Sequence, residues 1–389
     1  MFARRTEWRL APNRFTQVQR ELASSGRPII DLTLSNPTRA ALFFDDESIL
    51  ASLAAPEALD YDPQAKGLLS ARKAVCEYYR EQHEVFDLSP ESLILTTSTS
   101  EAYAYIFRLL CNVEDEILVP KPSYPLFEFL ADLQDVKLVP YPLIYDHGWQ
   151  IDLPSLYQSV NHRTRAVVVV HPNNPTGSFV SAKEIAALNA FCREYSLAII
   201  ADEVFLDYAH DGAPRPSFMG NQEVLTFTLS GLSKISGLPQ MKVAWLGASG
   251  PLDIVTAATE RLEVIADTFL SMNAPSQLAT PALLQQRKNI QPLILDRVRS
   301  NREELDSALA KQQSCGRLAI DGGWYAVLRV PVTRSDEDLA IELLQKCSVA
   351  VHPGHFFDFP QDGYLVVSLL TPQQDFREGT RRVLEMLNP

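Results

Sequence analysis

Between residues 93 and 250 short β-branched runs alternate with stretches of helical pattern, and this alternation limits the possible folds more sharply than any other feature of the chain. Parallel strands need a crossover, usually a helix, so the pattern predicts a mainly parallel sheet covered on both faces. The runs Leu93–Thr97, Ile117–Pro120, Lys137–Pro142, Ala166–His171, Leu197–Ala201, Val224–Leu229 and Val243–Gly247 read as seven strands. Ligands of such sheets bind beyond the carboxyl ends of the strands, so chemistry is sought in the clusters that follow each run. Near Ala274 a long helical stretch begins, followed by strands near Gly323–Val330 and Tyr364–Leu370 with the helical Asp336–Lys346 between them. The expected division is a large domain over 46–284 and a smaller α+β domain built from 1–45 and 285–389. No internal repeat or low-complexity segment interrupts it.

Charge narrows the partners. With 35 Lys+Arg against 48 Asp+Glu the net charge is −13, which opposes binding to nucleic acid or anionic lipid. Apolar stretches such as Ala166–Val170 are too short to span a bilayer. The N-terminus carries charges every few residues and lacks the apolar core of a secretory signal, so a cytoplasmic setting is expected. Five scattered cysteines without a CxxC pair, and seven histidines without HExxH spacing, give a disulfide framework or a metal site no support. Neither GxGxxG after a strand nor GxxxxGK[ST] occurs, which removes dehydrogenase and NTPase readings.

Lys234 stands in SGLSKISGLPQMK, directly after the strand-like VLTFTL. A lysine held at a sheet's carboxyl edge loses solvation, and its lowered pKa makes it a Schiff-base nucleophile. Asp202 closes the run LAIIAD, so its carboxylate emerges at the same edge, placed to partner a protonated ring nitrogen. Asn174 lies in HPNNPTG after AVVVV, in a turn rich enough in Asn, Pro and Gly to hold an amide rigidly. Ser98, Thr99 and Ser100 fall where a strand yields to the helix-like EAYAYIFRLL; hydroxyls and free N–H groups at a helix start suit a phosphate.

These motifs, with SNPT at Ser35, YDPQAKGLLSAR at Tyr61, PKPSYP, ADEVF, GGWY and VHPGHFF, run in the same order along nearly the whole chain. In this the chain resembles the class I/II aminotransferases, fold-type I enzymes that use pyridoxal 5′-phosphate. The resemblance implies that Lys234 carries the cofactor as a Schiff base and shuttles a proton, while Asp202 keeps the pyridine nitrogen protonated. Asn174 would bond the ring's phenolic oxygen, and Tyr124 would stack on the ring and join Lys234 and Asp202 as a catalytic residue. Ser98, Thr99, Ser100 and Ser233 would hold the phosphate, and Tyr61 would reach the phosphate of a neighbouring subunit, implying a homodimer with shared sites. Ser35, Asn174 and Arg39 fall where the substrate binds. The implied activity is ping-pong transfer of an amino group between an amino donor and a 2-oxo acid.

Three positions depart from the family pattern. Phe205 replaces a tyrosine that donates to the phenolic oxygen, and Lys242 replaces a phosphate-binding arginine, keeping charge while losing bidentate geometry. The third bears on the substrate: Val366 matches the strand arginine that grips the α-carboxylate, and no arginine occurs from Ser335 to Phe376. Arg39, Arg377 and His355 are candidate replacements. An amine donor, a C–S lyase or other carbanion chemistry, and a non-catalytic cofactor- or ligand-binding protein of the same fold are the competing readings.

Overall fold

The computed structural model describes residues 1–8, 10–42, 44–125, 127–270 and 272–388. Its large sheet comprises β1 (Leu93–Thr96), β2 (Glu116–Lys121), β3 (Lys137–Tyr145), β4 (Trp149–Ile151), β5 (Thr164–Val170), β6 (Ala198–Asp202), β7 (Thr226–Gly231) and β8 (Ala244–Ser249). They lie in the order β1-β8-β7-β6-β5-β2-β3-β4. The pairs β7·β6, β6·β5, β5·β2 and β2·β3 are parallel, while β8 runs antiparallel to both β1 and β7. β1 therefore points the same way as β7, and the sheet is mostly parallel, as the alternation requires. It holds eight strands rather than the seven expected from the alternation. The addition is β4, which folds back antiparallel on β3 and carries that strand on to Tyr145.

The apolar runs are continuous because both faces of each strand are buried. In β5, Ala166, Val168 and Val170 pack with the helices Thr99–Leu110 and Leu252–Phe269 on one face. Val167 and Val169 pack with the helix Ala182–Tyr195 on the other. That strict alternation of side-chain direction gives two cores from one sequence run.

A second sheet is formed by β9 (Gly316–Arg317), β10 (Tyr325–Arg329), β11 (His352–Pro353) and β12 (Tyr364–Ser368), antiparallel throughout in the order β9-β10-β12-β11. The start of the chain lies against this region. Ile30 and Asp31 pair in parallel with Val349 and Ala350, the Ser368 N–H donates to Leu32 at 2.6 Å, and the Thr371 hydroxyl donates to Asp31 at 3.1 Å. Among the described residues no helix is long and apolar enough to cross a membrane.

Candidate active site

Parallel strands deliver their carboxyl ends to one edge, and five of them end in candidate residues. β1 leads into the helix Thr99–Leu110, β2 into Tyr124, and β5 into the turn that holds Asn174; β6 ends in Asp202 itself. β7 ends in Gly231, and the short helical turn Leu232–Ile235 then presents Ser233 and Lys234. Their side chains line one cavity of about 240 Å³ with Ser35, Tyr103, Phe205 and Tyr325.

Lys234 carries the cavity's amino group. Burial pushes its pKa down to about 8, opposed by the charge of Asp202. Its Nζ lies 4.7 Å from the ring centroid of Trp324 and 5.2 Å from that of Phe205, and the Tyr208 hydroxyl fixes its backbone carbonyl at 2.6 Å. Asp202 shifts the other way: burial raises it to about 6, against the Val204 N–H, the Tyr103 hydroxyl and the Lys234 charge, which favour the carboxylate. The two oxygens hold one donor each, Val204 N–H on Oδ1 and Tyr103 Oη on Oδ2, both at 3.2 Å.

Asn174 is placed by a turn that is itself locked. The neighbouring Asn173 accepts from Gly177 N–H at 2.7 Å on its carbonyl and from the Thr176 hydroxyl at 3.0 Å on its amide oxygen. His171 anchors the base of the turn, its Nδ1 accepting from Val180 N–H at 2.9 Å with Nε2 3.1 Å from the Pro216 carbonyl oxygen. Burial pushes His171 down to about 4, so the ring is neutral and Nε2 carries the proton. Gly177 has a positive φ of 71°, and a Cβ there would collide with the Gly322 carbonyl oxygen. Gly177→Ala is therefore expected to cost about 2–3 kcal/mol, read as a lower denaturation midpoint, and to loosen cofactor retention with it.

The phosphate candidates divide. Thr99, Ser100 and Ser233 line the cavity. Ser98 instead caps the helix, its Oγ accepting from Glu101 N–H at 3.2 Å, while Glu101 accepts from the Thr97 N–H at 2.7 Å and its hydroxyl at 3.0 Å. That reciprocal cap orients the helix start and commits the Ser98 oxygen.

Other candidates lie outside the cavity. Tyr61 is 83% exposed and lines a separate cleft of about 270 Å³ with Asp60, Asp62, Leu270 and Gln277. Lys242 is exposed in a left-handed conformation, Arg39 is exposed on the turn Pro37–Arg39, and His355 is exposed beside Asn13 and Glu128. Arg377 is exposed and paired with Glu304 at 3.1 Å. Val366, opposite Val327 on β10, is fully buried among Leu318, Phe357 and Phe359, so hydrocarbon fills the place of a strand-borne guanidinium. Among the described residues Asp202 and Lys234 are the only charged side chains of the cavity wall.

Sequence reasoning missed Tyr103 and Tyr325. Tyr103 stands four residues after Thr99, on the same helix face, and that spacing was the available signal. Tyr325 ends the GGWY motif and lines the cavity together with Ser35.

The family model for aminotransferase class I and II matches residues 45–379. The glutamate-pyruvate aminotransferase AlaA of Haemophilus influenzae is 28% identical over 375 residues, covering 94% of this chain and 92% of that protein. The alanine aminotransferase of Mycobacterium tuberculosis is also 28% identical over 375 residues, covering 93% and 86%. Among solved structures, alanine aminotransferase from Pyrococcus furiosus superposes with a TM-score of 0.91 at 24% identity, over 100% of this chain and 99% of that one. A Thermus thermophilus aspartate aminotransferase double mutant gives 0.86 at 22% identity over the full length of both.

Proposed function

The chain belongs to the class I and II aminotransferases and is a pyridoxal-phosphate-dependent enzyme; from that premise we propose that Lys234, Asp202 and Asn174 form the centre at which it moves an amino group between an amino donor and a 2-oxo acid. The observation that carries this is their convergence on one cavity at the sheet's carboxyl edge.

The residues fit the cofactor in three ways. Asn174 Oδ1 is buried with no hydrogen-bond partner, a polar atom that calls for an occupant of the cavity. The Asp202 carboxylate keeps a lone pair on each oxygen for a ring nitrogen, and the hydroxyls of Thr99, Ser100 and Ser233 line the same cavity, the first two at a helix start suited to a phosphate. When bound, the cofactor supplies an electron sink for the pair left by a bond broken at the donor's α-carbon. Lys234 Nζ would hold the cofactor and, once free, would accept the proton from that carbon and deliver it to the cofactor's C4′. Asp202 would accept a hydrogen bond from the ring nitrogen, Asn174 would orient the ring's oxygen edge, and Tyr124 would cover a ring face. With no second cation among the described residues of the wall, Ser35, Asn174 and Tyr325 are the neutral donors open to a substrate carboxylate.

The same reading makes the enzyme a cytoplasmic homodimer, with Tyr61 and Lys242 reaching phosphate across or beside the subunit boundary; the exposure of both supports it. It also divides the chain into 46–284 and 1–45 with 285–389, since each sheet falls wholly within one part.

The relatives named for alanine and glutamate set the first test. Protein loaded with pyridoxal phosphate is mixed with L-alanine or L-glutamate without an acceptor. The expected outcome is loss of the lysine-bound absorbance with one equivalent of pyruvate or 2-oxoglutarate, reversed by adding the other oxo acid. Pyruvate and ammonia released continuously from a cysteine conjugate, with no reaction toward either amino acid, would replace transamination with β-elimination.

A further inference from the structure

We infer that Tyr103 is a positioning residue for the reaction, holding the Asp202 carboxylate in the orientation that meets the cofactor's ring nitrogen. The inference rests on the assignment of Asp202 proposed above and extends it to a residue for which the motifs supplied no role. Tyr103 Oη donates to Asp202 Oδ2 at 3.2 Å, and the ring is 98% buried. Phe127 packs edge-on against it at 5.3 Å and Phe107 at 5.9 Å, so the hydroxyl is aimed by packing. The Val204 N–H occupies the other oxygen, and the carboxylate is thereby gripped at both ends while a lone pair on each oxygen stays available.

The location of Tyr103 matters as much as its contact. It sits on the helix whose first turn presents Thr99 and Ser100 to the same cavity. Four residues of helix rise about 6 Å, a rigid spacing between the phosphate end of the cavity and the carboxylate. One element therefore registers two ends of the cofactor. Meanwhile Phe205, 3% exposed, has no hydroxyl to offer the phenolic oxygen. Among the tyrosines of this wall, Tyr103 directs its hydroxyl to the aspartate.

A double-mutant cycle tests this on the full-length protein loaded with cofactor. Tyr103→Phe keeps the packed ring and removes only the hydroxyl. Two readouts are taken: the dissociation constant of pyridoxal phosphate, and the visible circular dichroism of the bound cofactor, which follows ring orientation. Hydrogen bonds to charged groups carry enough energy that Tyr103→Phe is expected to weaken retention about tenfold and to change the dichroism. In the Asp202→Asn background the same substitution should change retention less than about twofold, because the group it positions is gone. A merely structural tyrosine gives the same change in both backgrounds, or none in either, and each of those results overturns the inference. If Asp202→Asn alone leaves retention and dichroism unaltered, the assignment of Asp202 fails first and is recognised separately from a failure at Tyr103.

Discussion

Lys234→Ala is expected to lower turnover by a factor on the order of 10⁴ or more while leaving a folded protein that still takes up pyridoxal phosphate non-covalently. The loss is large because, on the proposed assignment, one amino group serves both as anchor and as proton carrier, with no replacement among the described residues of the wall. Among the described residues no second lysine lines the cavity; Lys242 is exposed and Lys121 is paired with Asp358 at 3.1 Å. Lys234→Arg should fail as badly, since a guanidinium keeps its proton and cannot act as a neutral nucleophile. Cofactor retention survives because Asn174, Asp202 and the hydroxyls of Thr99, Ser100 and Ser233 remain in place. Single-turnover measurement with an amino donor, alongside dichroism and melting of the apoprotein, separates lost chemistry from lost fold. Retention of more than about one part in a hundred of wild-type turnover would move the proton-carrying role to another residue.

The centre was legible in the sequence because its residues follow from strand ends. A continuous run such as AVVVV must be buried on both faces, so its end must be the sheet edge, and Asn174 follows within four residues of Val170. The same logic places Asp202 and Lys234. Strand β4 was not legible, because three residues are too few for a periodic signal; a turn at 146–148 makes it, where Asp146 N–H donates to the Gly148 carbonyl at 3.0 Å and His147 takes a positive φ of 54°. Tyr103 was hidden for a different reason. Its helix reads as an amphipathic core helix, and only the fold brings Asp202, 99 residues away, to its hydroxyl. Val366 shows the converse: the sequence marked the missing cation, while its replacement by packed Phe357, Phe359 and Leu318 is a tertiary fact. Tyr61 lies in a separate cleft away from the candidate centre, and its proposed reach to a neighbouring subunit's phosphate is not a contact within one chain.

Capture of pyridoxal phosphate by the apoenzyme should rise about fivefold from pH 7 to pH 8, where half of Lys234 has lost its proton, and level off above about pH 9. The sign follows from the nucleophile being the neutral amine. An ordinary lysine, with a pKa of about 10.4, is neutral in roughly one molecule in 2,500 at pH 7, whereas a group at about 8 is neutral in roughly one in ten, a gain of about two hundredfold in reactive amine. Burial supplies the downward shift and the Asp202 charge limits it. Asp202→Asn removes that limit, so the break in the profile should move below pH 8. Tyr103 and Tyr124 are both pushed up by burial and stay neutral across this range, and His171, pushed down to about 4, stays deprotonated, so none of them masks the break. The same shift has a consequence for stability. Between about 8 and 10.5 the unfolded chain binds the lysine proton that the native apoenzyme has lost, so native stability rises with pH through that window. Stopped-flow absorbance at fixed ionic strength gives the capture profile, and a rate still climbing above pH 9 would mean that Lys234 is solvated like a surface lysine and that the cavity does not set its reactivity.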